Sequence, residues 1–311
     1  VNFKFCYQFD EMNTKITISL FSLLLTVGFQ VPSLAETVLE KVNRTGVLTV
    51  GVREDAIPFS YSNDSNNFEG YSVELMQLIH RRLEQELNKP IKLEFKPVTL
   101  QNRFSSVESG NIDLVCGADS ITAKREQTVE FSIPFFTTGI QLLVQQEDAE
   151  RLDPTQTTEE VLEGLTPNEV SIAFIQGTTT EIDLKPMYPE ASWQIIGSRT
   201  EGLRRLRNNE IDAIASDGIL LIGEVLKQGE DIKMYRLIPQ QPLSFENYGC
   251  ILPQNNLDWS NIINSTITSS ENTDLWNQWF NAETGRFPYE RFSDTANRSS
   301  LEPTQPRRAL W

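Results

Sequence analysis

Two stretches of this chain leave a helical segment, turn, and begin a strand through the same Ile-Asp pair: Gly110-Asn111-Ile112-Asp113-Leu114-Val115 and Asn209-Glu210-Ile211-Asp212-Ala213-Ile214. What precedes each copy also matches. Val47-Leu48-Thr49-Val50-Gly51-Val52 is a continuous apolar run, the mark of a strand buried on both faces. A turn-rich loop follows through Asp55, Pro58 and residues 63–67. Ser72 then stands where it can cap a helix whose apolar positions Val73, Met76, Ile79, Leu83 and Leu87 recur at helical spacing. Ile91 to Phe95 alternates as a strand, Leu100 to Ser109 predicts a short helix stopped by Gly110, and Ile112 to Cys116 predicts another strand. The second copy runs from a buried-type strand, Ser171 to Ile175, through the loop 177–180 and a helix over Leu203 to Asn208, into a strand from Ile211 to Ala215. Two copies of one plan predict two similar α/β lobes, each with a mostly parallel sheet. Residues 117–122 and 216–218 then lie at strand carboxyl ends, where open α/β sheets form their ligand crevice. A cleft between two lobes is a favoured small-molecule site.

Charge and residue usage narrow what such a crevice takes. The 311 residues carry 27 Lys plus Arg against 43 Asp plus Glu, a net charge of −16, which argues against nucleic acid and anionic membrane surfaces as partners. One histidine and three cysteines leave almost nothing for a histidine-based metal site or a histidine-dependent catalytic triad, so neither a metal nor a cofactor is expected. His80, flanked by Ile79 and Leu83, is expected to pack within its helix. Near the N-terminus, Lys15, the apolar run Ile16 to Val27 and the small residues of Pro32-Ser33-Leu34-Ala35 predict a secretory signal over 12–35, cleaved after Ala35. Residues 1–11 precede Met12 and read as lying upstream of the true start. The run is short and rich in Thr and Ser for a membrane span of about 20 residues. Export leaves Cys116 and Cys250 as an even pair in an oxidising compartment, open to a disulfide or to two buried thiols. After Ser293 the composition turns polar and Pro-rich, and 284–311 reads as a disordered tail.

Four arginines stand where they can face the cleft: Arg53 ends the first strand, Arg103 opens the second helix, Arg125 follows a strand-end loop, and Arg199 precedes a helix of the second lobe. A guanidinium is always charged and grips a carboxylate with two parallel N–H bonds. A chain at −16 needs such local cations to hold an anionic group. Surface pairing, for example Arg125 with Glu126 or Glu130, is the competing role. Asp217, in Ala215-Ser216-Asp217-Gly218, can hold an ammonium group or cap the helix after it. Gly177-Thr178-Thr179-Thr180 offers backbone N–H groups and hydroxyls to an anion. It lacks the Gly-x-x-x-x-Gly-Lys pattern of a nucleotide loop. Phe59 and Tyr61 are candidates for an aromatic cleft wall or for the core. Trp276, Trp279 and Phe280 recur at helical spacing as a packing face.

Gly51-Val52-Arg53, Pro58-Phe59-Ser60-Tyr61, Gly70-Tyr71-Ser72, Gln101-Asn102-Arg103, Ile121-Thr122-Ala123-Lys124-Arg125 and Phe131-Ser132-Ile133-Pro134-Phe135 together resemble family 3 of the extracellular solute-binding proteins, the periplasmic amino-acid receptors of ABC importers. The resemblance runs from about residue 40 to 283 and includes Gly177-Thr178-Thr179, Ser216-Asp217, Tyr248-Gly249-Cys250 and Trp276-Asn277-Gln278-Trp279-Phe280. It is greatest to the glutamate/aspartate-binding branch, through Gln101-Asn102-Arg103 and the two cysteines, and it implies a Cys116–Cys250 disulfide. It further implies a type II periplasmic binding fold of two lobes joined by two hinge strands, in an exported, monomeric, non-enzymatic protein that presents an acidic L-amino acid to a membrane permease. Arg125 would clasp the α-carboxylate with the backbone of Ala118, Ser120 and Thr122, and Asp217 would accept the α-ammonium. Arg53 and Arg103 would pair with the side-chain carboxylate, and Thr178 and Thr179 would contribute from the second lobe. Leu100 and Ala118 stand where the branch usually has serines, and Arg199 aligns with a histidine; these departures leave glutamate, aspartate and a wider polar range open.

The lobes are expected over 36–144 plus 246–283 and over 145–245, with the chain crossing near 144–148 and near 238–246. A receptor for neutral polar or several amino acids is the alternative within the binding class. A cyclohexadienyl dehydratase-like enzyme on the same scaffold is the alternative from another class, with carboxylates as its acids and bases.

Overall fold

The computed structural model describes residues 36–63, 67–152, 170–186 and 191–288. The segment 12–35, expected to be an export signal, and the part of the expected tail from 289 onward lie outside the described residues.

After the helix Val38–Thr45, Val47–Val52 (β1) is the middle one of the three parallel strands of the first sheet and is buried from Leu48 onward. Asp55–Ala56 (β2), Ser60–Ser62 (β3) and Phe68–Glu69 (β4) make a small antiparallel sheet beside it. The helix Tyr71–Leu87 follows, then Lys92–Pro97 (β5), the short helix Arg103–Glu108 and Leu114–Val115 (β6). Both β5 and β6 lie parallel to β1. Glu130–Phe131 (β7) and Phe136–Thr138 (β8) come next, and Ile140–Gln145 (β9) opens the second sheet.

The second sheet repeats the plan. Ser171–Ile175 (β10) is flanked in parallel by Ser192–Ile196 (β11) and Ala213–Asp217 (β12). Tyr235–Ile238 (β13) completes it, Glu246–Tyr248 (β14) pairs with β8, and Ile251–Leu252 (β15) returns to the first sheet. The strand orders are β5-β1-β6-β15-β7 and β11-β10-β12-β9-β13, three parallel strands in each case followed by an antiparallel pair. In each sheet the fourth strand is the one that lies next to a crossing, so the two lobes are interleaved.

The repeated Ile-Asp step has one physical cause in both lobes. Asp113 Oδ2 accepts the backbone N–H of Thr49 in β1 at 2.9 Å, and Asp212 Oδ2 accepts that of Ser171 in β10 at 2.7 Å. Each carboxylate ties an incoming strand to the middle one of its lobe's three parallel strands, and the Ile before it, at 112 and 211, is buried.

Several expected boundaries move. The helix expected to be capped by Ser72 starts two residues earlier, after Gly70, with no side-chain cap; Ser72 is buried inside its first turn. The second-lobe helix expected from Leu203 spans Arg199–Arg207, capped by Ser198, because its first turn is polar and carries no apolar signal. β9 belongs to the second sheet, so the first crossing falls between Thr138 and Ile140, ahead of the expected 144–148. At that point a Cβ on Gly139 would lie 1.8 Å from the Ser244 carbonyl oxygen, so only glycine lets the two crossing segments run this close. The start of the expected tail is ordered: Phe287 is buried in the first core, and Arg286 pairs with Glu74.

The helices Leu257–Ile267 and Ser270–Phe280 pack on Tyr71–Leu87, with Trp279 and Phe280 buried as the helical spacing predicts. Ile219, Leu220 and Ile222, from the helix Gly218–Lys227 that follows β12, join this same core and carry the second lobe onto the first. Cys116 and Cys250 form a disulfide across β6 and β15.

Candidate functional site

Arg53 leaves the carboxyl end of β1 as a fully buried cation. Its backbone N–H donates to Ser60 Oγ at 2.7 Å, and the Ser60 hydroxyl donates back to the Arg53 carbonyl, which fixes the turn out of the strand. Its Nε and Nη2 donate to the two carboxylate oxygens of Asp55 at 2.9 and 3.0 Å, a fork-to-fork pair, while Nη1 donates to the Ala118 carbonyl at 3.0 Å. Burial works against the Arg53 charge, but Asp55 and Asp119 outweigh it and raise its pKa. Burial likewise pushes Asp55 up, and Arg53 with Arg199 overrides it, holding the carboxyl well below the usual range.

Arg103, also buried, donates from Nε to Asp119 Oδ1 at 2.5 Å and from Nη1 to the Leu100 carbonyl. Burial lowers its pKa, Asp119 opposes that, and the neighbouring Arg53 and Arg125 add to it. Asp119 Oδ1 also lies 3.8 Å from Arg53 Nη1, so one carboxylate stands between the two guanidiniums. Arg125 Nη1 donates to the Ser120 carbonyl at 2.6 Å, and the Arg103 and Arg125 guanidiniums lie 4.3 and 5.1 Å from the Phe104 ring centroid.

The second lobe meets this cluster at Asp217, the last residue of β12. Tyr248 donates to Asp217 Oδ2 at 2.6 Å, whereas Asp217 Oδ1 is buried with no hydrogen-bond partner among the described residues. Burial raises the Asp217 pKa against the pull of the Tyr248 bond and of Arg199, Arg53 and Arg125. Arg199 donates from Nε to Ser216 Oγ at 3.1 Å and from Nη1 to the Asp55 carbonyl at 3.3 Å, and that same Nη1 lies 3.5 Å from the Asp55 carboxylate. The strand β14, between the lobes, turns Glu246 and Tyr248 to one face, as residues two apart on a strand must. Glu246 accepts from the Ser120 and Thr179 hydroxyls, one from each lobe. Burial and then repulsion from Asp217 push its pKa up to about 7. For Tyr248, burial and then Asp217 raise the pKa well above its ordinary value.

The residues singled out in the sequence converge unevenly. Arg53, Arg103, Ala118, Ser120, Arg125, Thr179, Arg199 and Asp217 belong to this one network. Thr122 anchors the Arg125 turn, its carbonyl accepting the Arg125 N–H at 2.9 Å. Thr178 spends its hydroxyl on the Ile175 carbonyl at 2.7 Å, and the Gly177 N–H goes to Glu181, so the chain's own carboxylate takes one of the backbone donors of the expected anion cradle. Asp217 precedes its helix without a side-chain capping bond, leaving the carboxylate for the site. Phe59 is a correction. It is fully buried among Tyr71, Phe135, Phe136, Tyr248 and Phe280, so it packs the core rather than walling the cleft.

Sequence reasoning missed Asp55, Asp119, Glu246 and Tyr248. The spacing of Asp55 from Arg53 and of Glu246 from Tyr248, two residues in each case, is the signal that could have found two of the partners.

Residues 48–282 match the family described as bacterial extracellular solute-binding proteins, family 3. A glutamate/aspartate import solute-binding protein of Salmonella typhimurium is 29% identical over 79% of this chain and 79% of its own length. A glutamine-binding protein of Geobacillus stearothermophilus is 27% identical over 68% of this chain and 74% of its own. Among solved structures, the ancestral amino acid-binding protein AncCDT-1, a precursor of cyclohexadienyl dehydratase, superposes with a TM-score of 0.65 at 22% identity, covering 78% of this chain and 99% of that one. A mutant of ArgBP from T. maritima gives 0.64 at 26% identity, covering 78% and 98%.

Proposed function

We propose, for a chain that belongs to family 3 of the bacterial extracellular solute-binding proteins, that it captures an α-amino acid between its two lobes and hands it to the permease of an ABC importer. The observation that carries this reading is Asp217 Oδ1, a buried carboxylate oxygen without a partner among the described residues, at the seam with the Arg125 side. A carboxylate on one lobe and a guanidinium on the other match the ammonium and carboxylate of a zwitterion. Arg125 and the backbone around Ser120 take the α-carboxylate, and Asp217, oriented by Tyr248, takes the α-ammonium.

Closure follows from the same placement. The ligand touches both lobes only when they meet, so its binding free energy biases the closed state. In this reading the chain works outside the cytoplasm after export, as a monomer and without catalysis, with lobes over 36–138 plus 246–288 and over 140–245.

The finer expectation of an acidic ligand rests on Arg53 and Arg103 and on relatives named for glutamate and aspartate. One observation favours a second reading, a neutral polar side chain: the Arg53 and Arg103 guanidiniums already face carboxylates of the chain itself, Asp55 and Asp119. Isothermal titration against Glu, Asp, Gln, Asn and His tests the proposal. At least one binds, and Arg125→Ala weakens it roughly 100-fold, as loss of two charge-assisted hydrogen bonds requires. Unchanged affinity in that variant, or turnover of prephenate or arogenate, contradicts the receptor reading.

A further inference from the structure

The geometry points to Asp55 as the residue that sets ligand side-chain class: its carboxylate occupies Arg53 as an acidic ligand would, so the site selects a neutral side chain that donates hydrogen bonds, such as a carboxamide or hydroxyl. This rests on the reading of the cleft as an amino-acid site.

Each nitrogen of the Arg53 guanidinium donates within the chain, Nε and Nη2 to Asp55 and Nη1 to Ala118. The fork of Nε and Nη2 is closed to an incoming carboxylate unless it displaces Asp55, which holds it at no cost in translational freedom, and the N–H groups left on Nη1 and Nη2 belong to a guanidinium whose charge Asp55 already compensates. Displacement would leave a second carboxylate beside the ligand's own, an uncompensated like-charge contact. Arg103 is compensated in the same way, with Asp119 seated on its Nε at 2.5 Å and lying against Arg53 too. Asp55 also faces Arg199, whose Nη1 is 3.5 Å from its carboxylate. Across the group, Arg53, Arg103, Arg125 and Arg199 face Asp55, Asp119 and Asp217.

The pair is unequal in exposure, which shows where recognition occurs. The Arg53 side chain is 1% exposed and that of Asp55 46%. The group that remains accessible is therefore a carboxylate, an acceptor that repels an anion and receives an amide or hydroxyl proton. A neutral donor uses it without breaking the fork.

Calorimetric titration of the wild-type chain and of Asp55→Ser with Gln, Asn, Glu, Asp, His and Ser tests the inference. The wild type is expected to bind an amide roughly tenfold or more tightly than the matching acid, and Asp55→Ser to reverse that ratio by freeing Arg53 for the ligand. Wild-type preference for an acid overturns the inference and leaves the amino-acid reading standing. A folded Asp55→Ser chain, judged by circular dichroism, with the wild-type ratio unchanged also overturns it. If the variant does not fold, the wild-type ratio alone decides. Failure of every amino acid, including His and Ser, to bind the wild type overturns the amino-acid reading itself.

Discussion

Single side chains in the seam are held by opposing charges, and their protonation is part of the design. Glu246 is faced by Asp217 and Asp183, by the Ser120 and Thr179 hydroxyls and, through Asp217, by the arginine cluster. In the folded chain it keeps its proton to about pH 7, against 4.5 ordinarily. Between those values the folded state binds more protons than the unfolded state, so Glu246 makes stability fall as pH rises through this window. Glu246→Gln removes that contribution. Its melting temperature relative to wild type is expected to rise from pH 5 to pH 7.5; parallel profiles would show that Glu246 is ionised throughout. Asp55 acts in the opposite sense, because its lowered pKa gives stability that is present above the unfolded value and lost as pH falls. None of this was legible from residue types alone. The four arginines were visible as cations at loop and helix starts, and spacing could have paired Asp55 with Arg53, but only folding brings Asp119 to Arg103 and Arg199 to Asp55.

Strands and helices were legible wherever one pattern dominated. The continuous run at β1 and the alternation near β5 gave correct strands, and the two Ile-Asp steps gave the duplication, because each Asp has the same backbone partner in its own lobe. The first crossing was not legible, since β9 reads as an ordinary apolar strand and nothing local says which sheet it joins. The helix Gly218–Lys227 shows how tertiary contact governs an element. A Cβ on Gly223 would lie 2.4 Å from the Ile57 carbonyl of the first lobe, so the glycine sets how closely this helix docks across the seam. Gly223→Ala overpacks the contact by about 1–3 kcal/mol, an amount that tilts the chain away from closure. Amino-acid affinity in that variant is expected to drop roughly tenfold with the fold retained. Affinity equal to wild type would show that closure tolerates the wedge.

At the scale of the molecule, the second lobe is an insertion whose two ends are stapled to the first sheet. The Cys116–Cys250 disulfide closes 134 residues of sequence, and β9 to β13 all lie inside that loop. The bridge also fixes the strand end that carries Ala118 and Ser120 beside Tyr248, which pairs with Ser120 and holds Asp217. In the chain-entropy picture, opening a loop this long costs about 4–5 kcal/mol. Scanning calorimetry with and without reductant is expected to show a melting temperature lower by about 10 °C after reduction; an unchanged value would mean the unfolded chain is already constrained. The two-lobe plan, the disulfide and the family were readable from the sequence together, whereas the pairing of the buried charges at the seam was not. The most direct test of the whole account is calorimetric titration with the best-binding amino acid and its two analogues, one lacking the α-ammonium and the other the α-carboxylate. Each analogue is expected to bind roughly 100-fold more weakly, because Asp217 or Arg125 loses its charged partner. Either analogue binding as tightly as the parent would contradict recognition of a zwitterion between the lobes.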